Sequence, residues 1–125
     1  MEVKPRMSVR ERRIDAPILV LNVDKDVRRL KAEPEWISGA EDGITLVKYP
    51  HIRIVLVALR KGKNMHEHKV GGPFSLHVVS GKVVVIAGGS KYRLAAKDIV
   101  TLRKSIPHDV QAATDSVILL TIMAL

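Results

Sequence analysis

The sequence has 125 residues, a length that fits one domain with a hydrophobic core of its own. It contains no cysteine, which excludes disulfide scaffolds, cysteine-ligated zinc modules and thiol catalysis. The formal net charge is +8, from 21 basic against 13 acidic residues, and only 3% of residues are aromatic. Because base stacking needs aromatic side chains, we interpret the excess charge as a solvated face and do not expect a nucleic-acid partner.

Neither a membrane span nor an export signal is expected. The apolar runs are too short to cross a bilayer. A basic segment that includes Arg10, Arg12 and Arg13 precedes a short apolar one, but no small-residue cleavage site follows it. We therefore expect a cytoplasmic protein with no membrane partner.

The beginning of the chain predicts a tail and then a helical turn. Residues 1–16 are charged and are expected to form a tail or an added edge segment before a single domain over residues 17–125. Residues 17–23 are apolar and β-branched and predict a strand. In residues 24–33, Val27 and Leu30 have the spacing of one or two helical turns, which Pro34 should end.

The rest of the chain predicts short strands separated by turns, at residues 44–49, 52–60, 65–69, 74–79, 83–87, 92–94, 99–102 and 117–123. No intervening segment is long enough for a crossover helix, so the fold class is all-β, an antiparallel sandwich or barrel. Several strands, such as residues 54–59, are apolar on both faces. A homodimer that packs sheet to sheet is the simplest cover for their outer faces.

The histidines carry the chemical signal. His66, His68 and His77 fall within twelve residues, and His108 follows Pro107 in a later turn. Residues two apart on a strand project to the same side, so His66 and His68 can direct two imidazoles at one point. A third imidazole from a neighbouring strand would complete a metal-binding face with open positions for water or substrate. The alternative interpretation of such a pair is two solvated side chains.

Together these residues resemble the two sequence motifs of the cupin superfamily. His66, His68 and Gly81 match the first motif, and Asp98 with Pro107-His108 matches the second. The resemblance covers about half of the chain. It implies a double-stranded β-helix, or jelly-roll barrel, that is often dimeric and holds a metal inside the barrel through His66, His68 and His108.

The sequence departs from these motifs at several positions. Phe74 stands where the family has a carboxylate ligand, and Lys97 and Ser105 replace two glycines of the second motif. The ligand set would then be three neutral imidazoles. His77 is the weakest candidate ligand, because strict alternation puts it outside the barrel if Phe74 is inside. A bulge at residues 71–73 would reverse that phase and turn His77 inward as a fourth ligand.

The sequence thus predicts a small cupin that binds a divalent transition metal and a small, partly hydrophobic molecule. Imidazole ligands do not distinguish Fe, Zn, Ni, Mn and Cu. If the protein is an enzyme, we expect a metal-dependent dioxygenase or isomerase. One alternative is a non-catalytic metal or small-molecule sensor, and a second is a basic module that binds nucleic acid.

Overall fold

A computed structural model describes residues 13–68 and 72–123, with the backbone alone described at residues 66–68. In this part of the chain, two short helices precede nine strands. Their bounds are α1 Val23–Lys31, α2 Pro34–Ile37, β1 Asp42–Lys48, β2 Ile52–Leu59, β3 Asn64–His68, β4 Phe74–Ser80, β5 Lys82–Ala87, β6 Ser90–Ala95, β7 Ile99–Leu102, β8 His108–Ala112 and β9 Ser116–Met123.

The predicted helical turn is confirmed as α1. Its N-cap is Asn22, whose Oδ1 accepts a hydrogen bond of 2.9 Å from the backbone N–H of Lys25. Acidic residues occupy the first turn and basic residues the last, as the helix dipole favours. Pro34 does not simply end this helical region, because it is also the first residue of α2, where a missing N–H costs nothing.

The strand predicted over residues 17–23 is wrong. Residues 17–22 belong to neither a helix nor a strand, and α1 begins at Val23. Their apolar character has another cause: Leu19 and Leu21 pack against a hydrophobic cluster outside the barrel. Most of the predicted tail lies outside the described residues. Its described end contacts β1, where the Ile14 carbonyl accepts a hydrogen bond of 2.7 Å from the Lys48 N–H.

The nine strands form two antiparallel sheets, and the all-β prediction is confirmed. One sheet has the order β1-β2-β9-β4-β7, and the other β3-β8-β5-β6. Strand β8 was not predicted, because Asp109 and Gln111 interrupt its apolar residues. Its burial nevertheless alternates, with His108, Val110 and Ala112 buried, which is the period-two signal of a half-buried strand.

The main hydrophobic core lies between the two sheets. The five-stranded sheet contributes residues such as Leu59, Leu76 and Ile118, and the four-stranded sheet contributes Val83 and Val85. These side chains come from alternate positions of their strands, as in a sandwich with one packed inner face per sheet.

A second hydrophobic cluster covers the outer face of the five-stranded sheet. Leu30 of α1 and Trp36 of α2 pack there with Leu56, Ala58 and Val117, which are fully buried. The chain itself therefore provides at β2 and β9 the cover that the sequence analysis assigned to a second copy. The homodimer stays a prediction, but it is no longer needed to cover the outer faces of β2 and β9.

Neither helix in the described residues has the length and apolar character that crossing a membrane requires.

Candidate functional site

A cavity of about 180 Å³ lies between the two sheets. Among its lining residues, eight have apolar side chains and His108 alone is polar: Val55, Val57, Met65, Phe74, Leu76, His108, Val110, Leu120 and Ile122. The interior is therefore an apolar space with one imidazole in its wall, the kind of site that binds a small and largely apolar molecule.

His108 is the first residue of β8, and it is buried, with 7% of its surface exposed. Its Nδ1 lies 3.0 Å from the backbone oxygen of Ile106. A carbonyl oxygen can only accept, so Nδ1 is the donor of this hydrogen bond. In metal sites, a hydrogen bond of this kind at one ring nitrogen orients the imidazole and directs the metal to the other nitrogen.

Phe74 packs directly against this imidazole. The two ring centroids are 4.6 Å apart, with an angle of 36° between the ring planes, and Phe74 is itself buried. Phe74 occupies the motif position where the resemblance implies a carboxylate. That position therefore does lie at the cavity beside His108, but it presents a phenyl ring and no negative charge.

The backbone register relates the first histidine pair to His108. His68 of β3 is the direct cross-strand partner of His108, and Met65 is the partner of Val110. Residues that are directly opposite in an antiparallel pair occupy the same face of the sheet. The position of His68 is therefore matched to a residue that lines the cavity.

Strand β3 has an irregularity that the sequence analysis did not foresee. Met65 and His68 are three positions apart, whereas their partners Val110 and His108 are two positions apart. The regular alternation assumed for His66 and His68 therefore does not run through this segment, since an extra residue locally changes the pleat. That His66 and His68 bind metal together stays a prediction.

The structure does not bring His77 to the cavity. Leu76 and Val78 on either side of it are fully buried in the core, and His77, half-buried, is on the other face of β4. Its partners across β7 and β9 are Ile99 and Leu119. The register stays regular from Phe74 to Val78 and shifts only between Val78 and Ser80, so no bulge turns His77 inward. This is the outward position that strict alternation predicts.

Comparison of the sequence with protein-family models and with curated proteins finds no significant match. Solved structures do match. A cupin superfamily protein from Desulfitobacterium hafniense aligns with a TM-score of 0.68 and 15% identity over 70% of this chain and 80% of the other. A conserved protein of unknown function from Streptococcus pyogenes aligns with a TM-score of 0.72 and 20% identity over 90% and 93%. The chain has the cupin fold.

An enzyme is also among the structures with this cupin fold. Salicylate 1,2-dioxygenase from Pseudoaminobacter salicylatoxidans, in complex with gentisate, aligns with a TM-score of 0.75 and 18% identity. The alignment covers 88% of this chain but 34% of the enzyme. The cupin resemblance read from the motifs is thus confirmed at the level of the fold.

Two of the motif departures keep the backbone conformation typical of glycine in this cupin barrel. Lys97 has a φ of 78° and Ser105 a φ of 63°, and they are the only non-glycine residues with positive φ in the described part of the chain. Side chains rarely adopt this conformation. Both residues stand where the family motif has glycine, which supports the alignment of the second motif. Asp98 acts as a turn residue, since its Oδ2 accepts a hydrogen bond of 2.8 Å from the Ala95 N–H.

The opposite end of the barrel carries an ion pair between Arg60 and Asp115. The Arg60 guanidinium lies 3.3 Å from Asp115 Oδ2 and stacks on Trp36 at 3.7 Å from the ring centroid. A hydrogen bond from the Lys61 backbone N–H, and to a lesser degree the charge of Arg60, lowers the pKa of Asp115 below 3.8, against an opposing effect of burial. This cluster joins α2 to the ends of β2 and β9 and does not contact the cavity.

Within residues 13–65 and 72–123, one group of possible metal ligands does lie together: Glu33, Glu35 and Asp42, with carboxylate oxygens within 4.8 Å of one another. The group belongs to α2, the residue before it and the start of β1, outside the barrel. Each of these side chains has an interaction of its own. Acidic groups of this kind are common without an ion, and we assign no function to it.

Proposed function

We propose that this cupin-fold protein binds one divalent transition metal through His66, His68 and His108 and holds a small, mostly apolar molecule beside it. The observation that carries the proposal is the buried His108 in the wall of an apolar cavity, with its Nδ1 hydrogen-bonded to the Ile106 carbonyl. A polar ring in such a wall is costly unless it has a specific partner or role.

The available residues suit a metal bound by imidazole. The β3–β8 register supports the inclusion of His68, and His66 enters through the His-x-His motif. With Phe74 at the carboxylate position, the proposed ligand set is neutral. A bound divalent ion would then keep its full charge and act as a strong Lewis acid toward an anionic or chelating molecule.

The chain's own residues contribute positioning and exclusion of water. The aliphatic walls exclude water from the cavity and favour a small apolar body. Phe74 restrains the ring of His108, and the hydrogen bond to the Ile106 carbonyl orients it. A dioxygenase or isomerase reaction on a small molecule is the catalytic form of this proposal, and the fold shared with salicylate 1,2-dioxygenase supports it.

Metal content of protein purified without an affinity tag tests the site. We expect about one metal per chain in the wild type and little in His66→Ala, His68→Ala or His108→Ala, because removing one of three ligands weakens the site severely. His77→Ala is the matched control, since His77 is on the other face of β4. Equal metal content in all variants would contradict the proposal.

The alternative is a sensor or storage module that binds the same metal without catalysis. Oxygen consumption by the metal-loaded protein with a panel of small aromatic and aliphatic acids separates the two forms. The nucleic-acid alternative predicts binding that weakens steeply with salt and is indifferent to a chelator. Metal-dependent ligand binding predicts binding that changes little with salt and is lost when a chelator removes the metal.

A homodimer and a cytoplasmic location complete the proposal. Ile18 and Val20 support the dimer, because they are 82% and 92% exposed in the segment before α1, beside side chains that pack inward. Light scattering at micromolar concentration tests it, and a monomer would contradict it.

A further inference from the structure

We infer that Arg53 selects an anionic ligand for the cavity, namely a small molecule with an apolar body and one carboxylate or similar anionic group. The inference deepens the proposed function and rests on the cavity being the ligand site. Nothing in the sequence distinguishes Arg53 from the other basic residues, which number 21 with it, and only the strand register places it near the cavity.

Arg53 shares a face of β2 with the cavity wall. Val55 and Val57 line the cavity, and Arg53 precedes Val55 by two positions, the spacing of side chains on one face of a strand. No register shift occurs in the β2–β9 pair, so this alternation is continuous from Arg53 to Val57.

The cross-strand row confirms the position of Arg53 at one end of the cavity. Arg53 is paired with Ile122 of β9, and Ile122 is paired with Phe74 of β4. Both partners line the cavity, and Phe74 contacts the ring of His108. Neighbouring Cβ atoms in such a row are about 5 Å apart, and a long arginine side chain can reach across its neighbour. Arg53 therefore stands at the rim of the cavity, two strands from the Phe74 ring that contacts His108.

The charge at this rim is positive. Arg53 is exposed, and within the described residues no carboxylate lies within 4 Å of its guanidinium. Its cross-strand partner on β1 is Lys48, so two cations share the same face. On β8, Asp109 alternates with the inward-facing His108 and Val110 and therefore belongs to the outer face of its sheet.

An apolar cavity with a cationic rim recognises amphiphilic anions. The apolar walls favour a hydrocarbon body, and a guanidinium binds a carboxylate through two parallel hydrogen bonds. A pair of cations also raises the local concentration of anions near the opening. A neutral ligand of the same shape would fill the cavity without these contacts.

Calorimetric titration with hexanoate and its neutral analogue hexanamide tests the inference. We expect the wild type to prefer hexanoate by about tenfold and Arg53→Gln to lose this preference, because its affinity for hexanoate falls much more than its affinity for hexanamide. Arg93→Gln is the matched control, because it removes the same charge from the position opposite Val84, away from the inner face of β5. If Arg53→Gln keeps the preference, or if the wild type binds neither probe, the inference is wrong.

The same titration on chelator-treated protein separates this inference from the metal proposal. A preference that survives metal removal and disappears in Arg53→Gln supports Arg53 even if the metal proposal fails. A preference that disappears with the metal and persists in Arg53→Gln overturns the role of Arg53 and assigns the anion to the metal. Metal analysis of Arg53→Gln, expected to match the wild type, completes the comparison.

Discussion

The ring of Phe74 lies 4.6 Å from the ring of His108, centroid to centroid, at the motif position where cupins are expected to carry a carboxylate ligand. Both side chains are more than nine-tenths buried, and both line the cavity. The substitution therefore changes the charge of the site while it keeps the position packed. An aromatic contact of this kind restrains the imidazole without competing for its nitrogens.

This relationship predicts the effect of restoring a carboxylate. Phe74→Glu should hold a transition metal more tightly than Phe74→Gln by about tenfold or more, equal to about 1.4 kcal/mol or more, because an anionic oxygen beside His108 adds a fourth ligand. The measurement is competition with a chelator of known affinity, after circular dichroism has established that both variants fold.

Phe74→Gln is the matched control, since it has the size of glutamate without its charge. Both variants should lose stability relative to the wild type, because a buried aromatic ring contributes about 3 to 5 kcal/mol. Equal metal affinity in the two variants would mean that residue 74 does not reach the metal.

The positive φ of Lys97 predicts a stabilising substitution. A non-glycine residue in this conformation is strained by about 1 to 2 kcal/mol, and glycine removes the strain at some cost in chain entropy. Lys97→Gly should therefore raise the free energy of unfolding by roughly 0.5 to 1 kcal/mol. Urea denaturation measures the change.

Lys91→Gly serves as the comparison, since Lys91 is an exposed residue of β6 without positive φ. The free energy of unfolding of Lys91→Gly should fall by roughly 0.5 to 1 kcal/mol, because glycine weakens a strand. Destabilisation of similar size in both variants would show that the conformation of residue 97 carries no strain.

Gly81 predicts a strongly destabilising substitution. It connects β4 to β5 with a φ of 85°, and an added Cβ would overlap Ser116 Oγ and the Asp115 carbonyl oxygen and lie 2.7 Å from Ser116 Cα. Gly81→Ala should lower the free energy of unfolding by more than about 3 kcal/mol, because overlap adds to backbone strain.

Gly89→Ala separates those two costs. Gly89 has a similar φ of 79°, but an added Cβ would meet no atom within 4 Å. The free energy of unfolding of Gly89→Ala should fall by about 1 to 2 kcal/mol, the cost of the backbone conformation alone. If the two alanine variants unfold at the same denaturant concentration, the overlap of the added Cβ with Ser116 and Asp115 does not contribute to the loss of stability.

Asp115 predicts a loss of stability in acid. Its pKa is below 3.8 in the folded protein, chiefly because its carboxylate accepts the Lys61 N–H, so folding favours the ionised form. The stabilising contribution is present above pH 3.8 and is lost as the pH falls through the folded pKa. At about pH 7 the melting temperature of Asp115→Asn should be below that of the wild type, and the two should converge as the pH falls below the folded pKa of Asp115.

Glu41→Gln, which removes an equal charge from another exposed position, controls for the change in net charge. Its difference from the wild type should vary little over the same range. A constant difference between Asp115→Asn and the wild type at all pH values would contradict the assigned cause.

The sequence predicted the fold well where periodicity and turn chemistry agree. Most strands and α1 follow from local patterns, and the motif residues Gly81 and Asp98 occupy the turns expected of them. Strand β8 was missed, and the segment 17–22 was wrongly predicted to be a strand, both for one reason. Whether a short segment pairs in a sheet depends on partners that are distant in sequence, and local composition does not contain that information.

Two residues of the cavity wall could be predicted from the motifs, but the strand register around the cavity could not. His108 and Phe74 lie at the cavity as the motifs imply. The register shift in β3 could not be read from the sequence, because a bulge depends on how two strands match in length. The rim position of Arg53 required the β2–β9 register in the same way.

The place of β9 has a consequence for how the barrel can assemble. It is the last described strand along the chain, yet it lies between β2 and β4 at the centre of the larger sheet. Until it arrives, the β1–β2 hairpin and the β4–β7 pair have no hydrogen-bonded link, and each offers an open edge to other chains. Closure of the larger sheet must then wait for β9, and pairings between segments so distant in sequence are slow to form.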